Sequence, residues 1–484
     1  MTTRTADLVV AAPAGPRERF GWAPLLVVLT GTFMTFLDFF IVNVALPSIQ
    51  GRLHAGPAAI QLVVAGFGLA FAVGMISGGR LGDLYGRRRM FTVGLALFTV
   101  TSAACGLAPT AGFLDVARVL QGGAAAMMTP QVLAILGTIY TGPRRAKAFA
   151  AYGMTMGIAG VGGQLIGGAL IALNPAGAGW RSIFLINVPV GITALALVRR
   201  ILPESRGERA RVDLVGTALI TAALTGIVLP LVEGRQQGWP AWTVLCLAAA
   251  PVLLAVFVAH QRARAAGGRA PLVRLALFRD RAFGVGTLTG IAFGAVPASF
   301  FFVLALYLQD GRGLSPLVSG VVFSAVGVGF FAAMLTAEPM TRRMGRQILA
   351  VGAAVVAAGC LLAASAARAG IGAGASAWPR HRGVRDRDGA GAADRDGTGP
   401  DRRRARGRRL RRADHRPAVG EALGVAVIGV VFFGAAGGGI AHAFAASLVV
   451  LAVLTVATAA LVQLLPRPGS ASQAWRPEPA SPRR

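Results

Sequence analysis

Apolar runs of helical length recur along most of the chain, separated by short polar loops. They lie at residues 22–46, 60–78, 90–107, 113–139, 148–172, 183–198, 213–231, 242–259, 283–308, 316–337, 347–366, 420–436 and 443–465. Most approach the roughly 20 residues that a membrane-spanning helix needs. At these lengths helices are favoured over barrel strands, because each segment must satisfy its own backbone hydrogen bonds in lipid. The pattern predicts an all-α, polytopic membrane protein.

The composition agrees with this prediction. The chain has 484 residues, of which 55% are hydrophobic and 14% are charged, and its mean hydropathy is +0.63. A soluble domain carries about 25% charged residues. The length leaves room for about fourteen spans with short loops and two tails. The first run has no cleavage pattern of a signal peptide, so we interpret it as an uncleaved first span.

Basic residues alternate between the two sets of loops. With a cytoplasmic amino terminus, the two tails and the loops at 80–89, 144–147, 199–211, 262–281 and 342–346 hold twenty-eight Lys and Arg, whereas the opposite loops hold five. Short loops rich in Arg and Lys stay in the cytoplasm. An even number of spans then places both termini on the cytoplasmic side of the plasma membrane. The net charge of +28 therefore indicates membrane topology, and we expect no nucleic-acid partner.

One segment departs from this pattern. Residues 380–416 contain fourteen Arg and six Asp and no apolar stripe. A span would not tolerate so many charges. Two interpretations stay open: a disordered basic cytoplasmic loop, or a locally shifted reading frame over about 376–417. The second fits a GC-rich gene, indicated by forty-seven Arg and a single Lys, and would replace the twelfth of fourteen spans.

Two ionisable residues lie inside apolar runs. Asp38 is part of the stretch LDFFIVNVALP in the first run, and Arg118 precedes VLQGG in the fourth. A carboxylate within the membrane can take up a proton from one side and release it to the other, although it can also serve only as an interhelical hydrogen-bond partner. Arg118 needs a carboxylate partner, either Asp38 or Asp115, unless its side chain extends to the membrane surface.

Two glycine-containing segments complete the candidate motifs. The loop GRLGDLYGRRR at 79–89 joins the second and third spans, and in it Asp83 can pair with a nearby Arg or a helix amino terminus. The fifth span contains GxxxG spacings, which allow close helix contact. Its segment at 163–168 reads GQLIGG.

These motifs, in this order, resemble those of the fourteen-span drug/proton antiporters of the major facilitator superfamily, over residues 20–375 and 418–465. The resemblance implicates Asp38 in proton coupling, and we predict Arg118 as its electrostatic partner. It also assigns transport or gating motifs to Asn43, Pro47, Gly79, Asp83, Gly86, Arg87, Arg88, Gln121, Gly122, Gly163, Gln164, Gly167 and Gly168. Gln164 stands where that family usually has proline.

The expected architecture is a tail at 1–21, a six-span bundle at 22–200, two extra spans at 201–282, a second bundle at 283–465 and a tail at 466–484. Such a monomer would export small amphipathic or hydrophobic compounds in exchange for protons. A membrane enzyme is the second class considered, but the sequence shows no metal-ligand cluster, nucleophile elbow or phosphate loop, so we expect no enzyme and no cofactor. A third is a transporter made defective by the frame shift.

Overall fold

A computed structural model describes residues 21–206, 213–273, 275–345, 347–369 and 416–463, and all regular structure in these ranges is helical. The all-α prediction is therefore confirmed. The principal helices are α1 (Trp22–Leu53), α2 (Pro57–Tyr85), α3 (Arg87–Gly106), α4 (Ala111–Ile139), α5 (Gly142–Leu173), α6 (Ser182–Leu185), α7 (Asn187–Ile201), α8 (Leu214–Glu233), α9 (Ala241–Ala266), α10 (Arg281–Leu306), α11 (Pro316–Met344), α12 (Gln347–Arg368), α13 (Arg416–Ala435) and α14 (Ile440–Gln463).

The candidate spans of the structure can be matched to the predicted apolar runs. Among the described residues, twelve segments are long and apolar enough to cross a membrane, and α11 adds a shorter apolar stretch at Pro316–Phe330. These account for the thirteen predicted apolar runs. The predicted twelfth span and nearly all of the segment at 376–417 lie outside the described residues, as do most of both predicted tails. The count of fourteen spans is not confirmed, and the predicted domain boundaries stay predictions.

Local sequence signals set several helix ends. Thr110 and Ser315 cap α4 and α11 by accepting hydrogen bonds from backbone N–H groups three residues later, over 3.2 and 3.3 Å. The sixth span is interrupted between α6 and α7 at Ile186. Pro189 has no N–H to donate to the carbonyl four residues earlier, which explains the break at this turn.

The helices pack as two groups that meet along two lines of contact. In the first group α2 and α3 pack on α4, and α1 packs on α5; in the second, α10 packs on α13 and α12 on α14. The groups meet where α5 contacts α11 and where α2 contacts α13, and we call these contacts the two seams. The α8–α9 pair lies beside one seam, since α8 contacts both α2 and α13.

Burial separates central helices from peripheral ones. In the most apolar 18-residue stretch of each helix, 72% of the residues are buried in α1, but only 17% are buried in α9 and in α12. Because lipid can solvate an apolar side chain, the exposed apolar faces of α9 and α12 are those expected to contact the bilayer. The first helix, which carries Asp38, therefore lies at the centre of the molecule.

Candidate functional site

The carboxylate of Asp38 lies in the centre of the first helix group, with no accessible surface. It forms an ion pair with Arg118 of α4. Its Oδ1 accepts hydrogen bonds from Nε2 of Gln121 over 2.8 Å and from Nδ2 of Asn187 over 3.2 Å. A buried charge is tolerated only when it is paired and hydrogen-bonded, and Asp38 has both kinds of partner.

Arg118 is fully buried and is held from several directions. Its Nε donates to the backbone oxygen of Val63 over 2.9 Å, and its Nη1 donates to Oε1 of Gln121 over 2.8 Å. Its guanidinium lies 4.3 Å from the ring centroid of Phe67 and 5.5 Å from that of Phe184. Aromatic faces stabilise a cation that has been removed from water. The structure thus pairs Arg118 with Asp38, and its side chain does not extend to the membrane surface.

From the sequence, Asp115 was the second possible carboxylate partner of Arg118. Asp115 lies one helical turn earlier on α4, and its Oδ1 is buried without a hydrogen-bond partner among the described residues. The structure therefore decides between the two carboxylates in favour of Asp38.

Three members of this cluster were missing from the predicted site. Asn187 begins α7 and also donates to Oγ of Ser102 over 3.1 Å, and Ser102 in turn donates to the backbone oxygen of Phe184 over 2.9 Å. Cys105 donates to Oε1 of Gln121 over 3.4 Å. The sequence could have indicated these three residues, because each is a polar or hydrogen-bonding residue within an apolar run and a buried polar side chain needs a partner.

Asn43 and Pro47 lie in the same helix as Asp38, nearer its carboxyl end. Pro47 removes one N–H donor from α1. The Nδ2 of Asn43 donates to the backbone oxygen of Phe40 over 3.1 Å. Beyond it, the backbone oxygen of Val44 accepts a hydrogen bond from Nε2 of Gln309 over 2.8 Å. Gln309 lies in the helical turn Tyr307–Gly311, which directly follows α10 of the second helix group. The Pro47 region of α1 therefore takes part in the contact between the groups.

The segment predicted as a loop at 79–89 is helical except at Gly86, since it consists of the end of α2 and the start of α3. Its carboxylate and guanidinium groups form two sets of contacts. Asp83 pairs with Arg87 over 3.0 Å, and Arg87 also donates to Oγ1 of Thr138 over 2.7 Å. The backbone N–H of Arg88 donates to Oε1 of Glu204 over 3.0 Å, and the Arg88 side chain lies 3.7 Å from the same carboxylate. The loop is thereby attached to α4 and to the segment after α7.

Close approach explains the glycines of this loop. Gly86 has a φ of +106°, and a Cβ there would come within 2.7 Å of the Glu204 carboxylate. A Cβ at Gly82 would overlap the side chain of Gln131, whose Nε2 donates to the backbone oxygen of Gly78 over 2.7 Å. Gly79 is less constrained, since its nearest neighbour would lie at 3.7 Å.

The motif glycines of the fourth and fifth spans are also contact positions. A Cβ at Gly122 would overlap the backbone of Phe67 in α2, while Gly163 and Gly167 face α1. Gly168 faces Pro316 of α11. The fifth-span glycines therefore allow α5 to contact α1 on one side and the second helix group on the other.

Gln164 is buried in the α5–α11 seam. Its side chain is 1% exposed, and neither its Nε2 nor its Oε1 has a hydrogen-bond partner among the described residues. A Cβ at Gly320 would come within 2.7 Å of the backbone oxygen of Gln164, so the two helices are close here. Burying an unpartnered amide costs free energy in this arrangement.

The comparisons with known proteins identify the family. Residues 28–378 match the model of the Major Facilitator Superfamily, which is most of the chain. The chain belongs to this superfamily. This family consists of membrane transporters, not of enzymes, and the match agrees with the twelve described helical segments that are long and apolar enough to cross a membrane.

Two relatives are named for the transport or the export of a particular compound. The probable actinorhodin transporter of Streptomyces coelicolor is 38% identical over 348 residues, which cover 70% of this chain and 59% of that protein. The tetracenomycin C resistance and export protein of Streptomyces glaucescens is 37% identical over 328 residues, which cover 66% of this chain and 59% of that protein. The chain thus spans less than two thirds of the length of these relatives.

A solved structure supports the fold. A POT family transporter in complex with a thioalcohol conjugated peptide superimposes with a TM-score of 0.59 at 12% identity. The similarity covers 91% of this chain and 95% of that one. It shows that this chain shares the fold of that transporter.

Proposed function

We propose that this protein exports small amphipathic or hydrophobic compounds across the plasma membrane in exchange for protons. The central observation is the buried cluster in which Asp38 is bound by Arg118, Gln121 and Asn187. A carboxylate within a membrane protein is a candidate for proton transfer by default. The name of the tetracenomycin C resistance and export protein supports export as the direction of transport.

The cluster suggests how protonation and movement are linked. Protonating Asp38 would remove its negative charge and leave the Arg118 guanidinium without its counter-ion. Arg118 would then hold only its neutral partners, which include the backbone oxygen of Val63 and the side chain of Gln121. Since Asn187 of α7 also bonds to Asp38, α1, α4 and α7 would all gain or lose a contact in the same step. A ligand shifts a conformational equilibrium only through such differential contacts.

Alternating access would use the two seams. Several contacts between the helix groups lie toward the helix ends marked by Leu53, Pro57 and Pro316: the Val44–Gln309 hydrogen bond, the approach of Gly168 to Pro316, and the approach of Gln61 to Gly429. We propose that this is the outer end, closed in the conformation described. The loop at 79–89 would lie on the cytoplasmic side, where its contact with Glu204 would form and break in the transport cycle.

The asymmetry of basic loops supports this orientation. Cysteine labelling tests it: in intact cells, an engineered Arg89→Cys should resist an impermeant maleimide, whereas Arg52→Cys at the opposite end of a span should react. The three native cysteines, Cys105, Cys246 and Cys360, would be replaced by alanine in both variants. Ready labelling at position 89 from outside would contradict the proposed topology.

Transport in proteoliposomes tests the coupling. With actinorhodin or tetracenomycin C as probe, an imposed proton gradient should drive transport by the wild type, and Asp38→Asn should abolish it. The matched control is Asp280→Asn, which changes an exposed carboxylate between α9 and α10 and should transport normally. Undiminished proton-driven transport by Asp38→Asn would show that the coupling group lies elsewhere.

A defective chain with a shifted reading frame remains the alternative. No comparison supports it, and its segment falls almost wholly outside the described residues. Determining the nucleotide sequence across codons 376–417 tests it directly. A frame without compensating insertion and deletion, or full transport by the chain as written, would establish the Arg-rich segment as a genuine insert.

A further inference from the structure

An open cavity lies where the end of α2, the start of α3 and the end of α7 meet. Its volume is about 570 Å³. It is lined by Tyr85, Arg88, Arg89, Met90, Thr92, Val93 and Arg199. Three of these residues are arginines and the rest are mainly apolar or aromatic. The cavity therefore combines positive charge with a mainly apolar wall.

The positive charge exceeds the negative charge beside it. Among the described residues, the carboxylate of Glu204 lies next to the cavity, 3.7 Å from the Arg88 guanidinium and 3.8 Å from that of Arg89. The Arg89 side chain is still 63% exposed, and Arg199 is exposed as well. Within the part of the chain that the structure describes, one carboxylate pairs with two of the three cavity arginines, which leaves an excess of about two positive charges for an anion. Guanidinium groups match the geometry of phosphate oxygens.

The apolar wall continues out of the cavity along one helix face. Val93 is 40% exposed, and Leu97 and Val100 continue the same exposed face of α3 at 45% and 65%. The spacing of four and three residues places these side chains in one stripe. Tyr85, which is 58% exposed, lies at the head of the stripe. An acyl chain could follow this face while its headgroup stays at the arginines.

The arginines lie at the depth expected for a lipid phosphate. Arg87 begins the span of α3 and Ile201 ends the span of α7, so Arg88, Arg89 and Arg199 lie within two residues of the ends of these spans. Basic pockets between transmembrane helices at this level bind lipid headgroups. A soluble phosphate would use the arginines but not the stripe.

We propose that this cavity is a binding site for an anionic glycerophospholipid, whose phosphate contacts Arg89 and Arg199 and whose acyl chain lies along Val93, Leu97 and Val100. The site is separate from the Asp38 cluster and does not depend on the proposed transport function. It shares Arg88 with the contact to Glu204, so an occupied site would place an additional anion beside the loop at 79–89.

Native mass spectrometry of the full chain in detergent tests the proposal. The probes are phosphatidylglycerol, phosphatidylcholine with the same acyl chains, and inorganic phosphate. We expect phosphatidylglycerol to bind the wild type with at least about tenfold higher affinity than phosphatidylcholine. The variant Arg89→Gln/Arg199→Gln should lose about tenfold or more of the phosphatidylglycerol affinity, because each basic group near an anionic lipid contributes to attraction.

The control variant removes the same charge at the other end of the spans. Arg52→Gln/Arg235→Gln changes two exposed arginines and should bind phosphatidylglycerol like the wild type. If the two double variants lost the same amount of phosphatidylglycerol affinity, only the net charge of the protein would matter, and the proposed site would be wrong. Equal binding of the two lipids, or full displacement of phosphatidylglycerol by inorganic phosphate at comparable concentration, would overturn the assignment to an anionic lipid. Circular dichroism of each variant verifies that it is folded.

Discussion

Gln309 donates a hydrogen bond from its Nε2 to the backbone oxygen of Val44 over 2.8 Å, and both residues are buried. The bond joins the first helix group to the second. Pro47 has no N–H for the backbone oxygen of Asn43, the residue before Val44, and so interrupts the hydrogen bonding of this turn of α1. In membrane proteins such interrupted turns are stabilised by polar groups of neighbouring helices. Gln309 supplies such a group.

The first prediction concerns this contact. Gln309→Leu should shift the population about fivefold toward a conformation open at this end, since one net hydrogen bond contributes about 1 kcal/mol. Distances between spin labels at Arg52→Cys and Arg312→Cys measure the shift by pulsed electron paramagnetic resonance. Gln347→Leu is the control, because the exposed Gln347 bonds only across α12 and α14 in the second group. An unchanged distance distribution for Gln309→Leu would show that the contact does not contribute to closure.

A second prediction concerns the energetics of the Asp38–Arg118 pair. Arg118→Leu should lower the free energy of unfolding by about 3–5 kcal/mol, because it leaves the Asp38 carboxylate buried without its counter-ion. Asp38→Asn/Arg118→Leu should recover part of that loss, since no unpaired charge then remains. Unfolding in detergent followed by circular dichroism gives the two values. A double variant less stable than Arg118→Leu would contradict the electrostatic explanation.

The third prediction uses the unpartnered amide of Gln164. Gln164→Leu should stabilise the α5–α11 seam by about 1–3 kcal/mol, because an apolar side chain of similar size has no unpaired polar groups to bury. A more stable seam should also slow transport, since the seam must open in an alternating-access cycle. Thermal unfolding and initial transport rates measure the two effects. Decreased stability, with a decreased rate, would indicate that Gln164 has a polar partner essential to this conformation.

A fourth prediction concerns the polar cluster between α8 and α9. Burial alone would raise the pKa of Asp213, but hydrogen bonds from His260, the Gly216 N–H and Gln261, together with the charge of Arg264, outweigh it and lower that pKa below its ordinary value of 3.8. A carboxyl with a lowered pKa stabilises the fold above its ordinary pKa, and this contribution is lost as the pH falls through the lower folded value.

The stability difference between the wild type and Asp213→Asn should therefore be largest at neutral pH and should decrease as the pH falls below about 4. Thermal unfolding between pH 7 and pH 3 measures it, with Asp280→Asn as an exposed-carboxylate control. A difference that stays constant over this range would show that protonation of Asp213 does not contribute.

The helical segments and the motif glycines could be predicted from the sequence alone, because they depend on local hydrophobicity and chain geometry. The lengths of the apolar runs sufficed to predict thirteen apolar helical segments of the described residues and the all-α fold, because each helix in lipid satisfies its own backbone hydrogen bonds. The motif glycines were identifiable for a similar reason, since absence of a side chain permits close backbone approach. The resemblance to the major facilitator superfamily, which the family match confirms, rested on the same local motifs.

The tertiary structure decided which polar groups meet. Only the packing of α1 against α4 and α7 paired Arg118 with Asp38 and not with Asp115, and brought Asn187 into the cluster. Only the contact between the two helix groups placed Gln309 on Val44. Such pairings depend on how each helix is rotated and placed against its neighbours, and hydrophobic periodicity along one helix does not specify the partner across the interface.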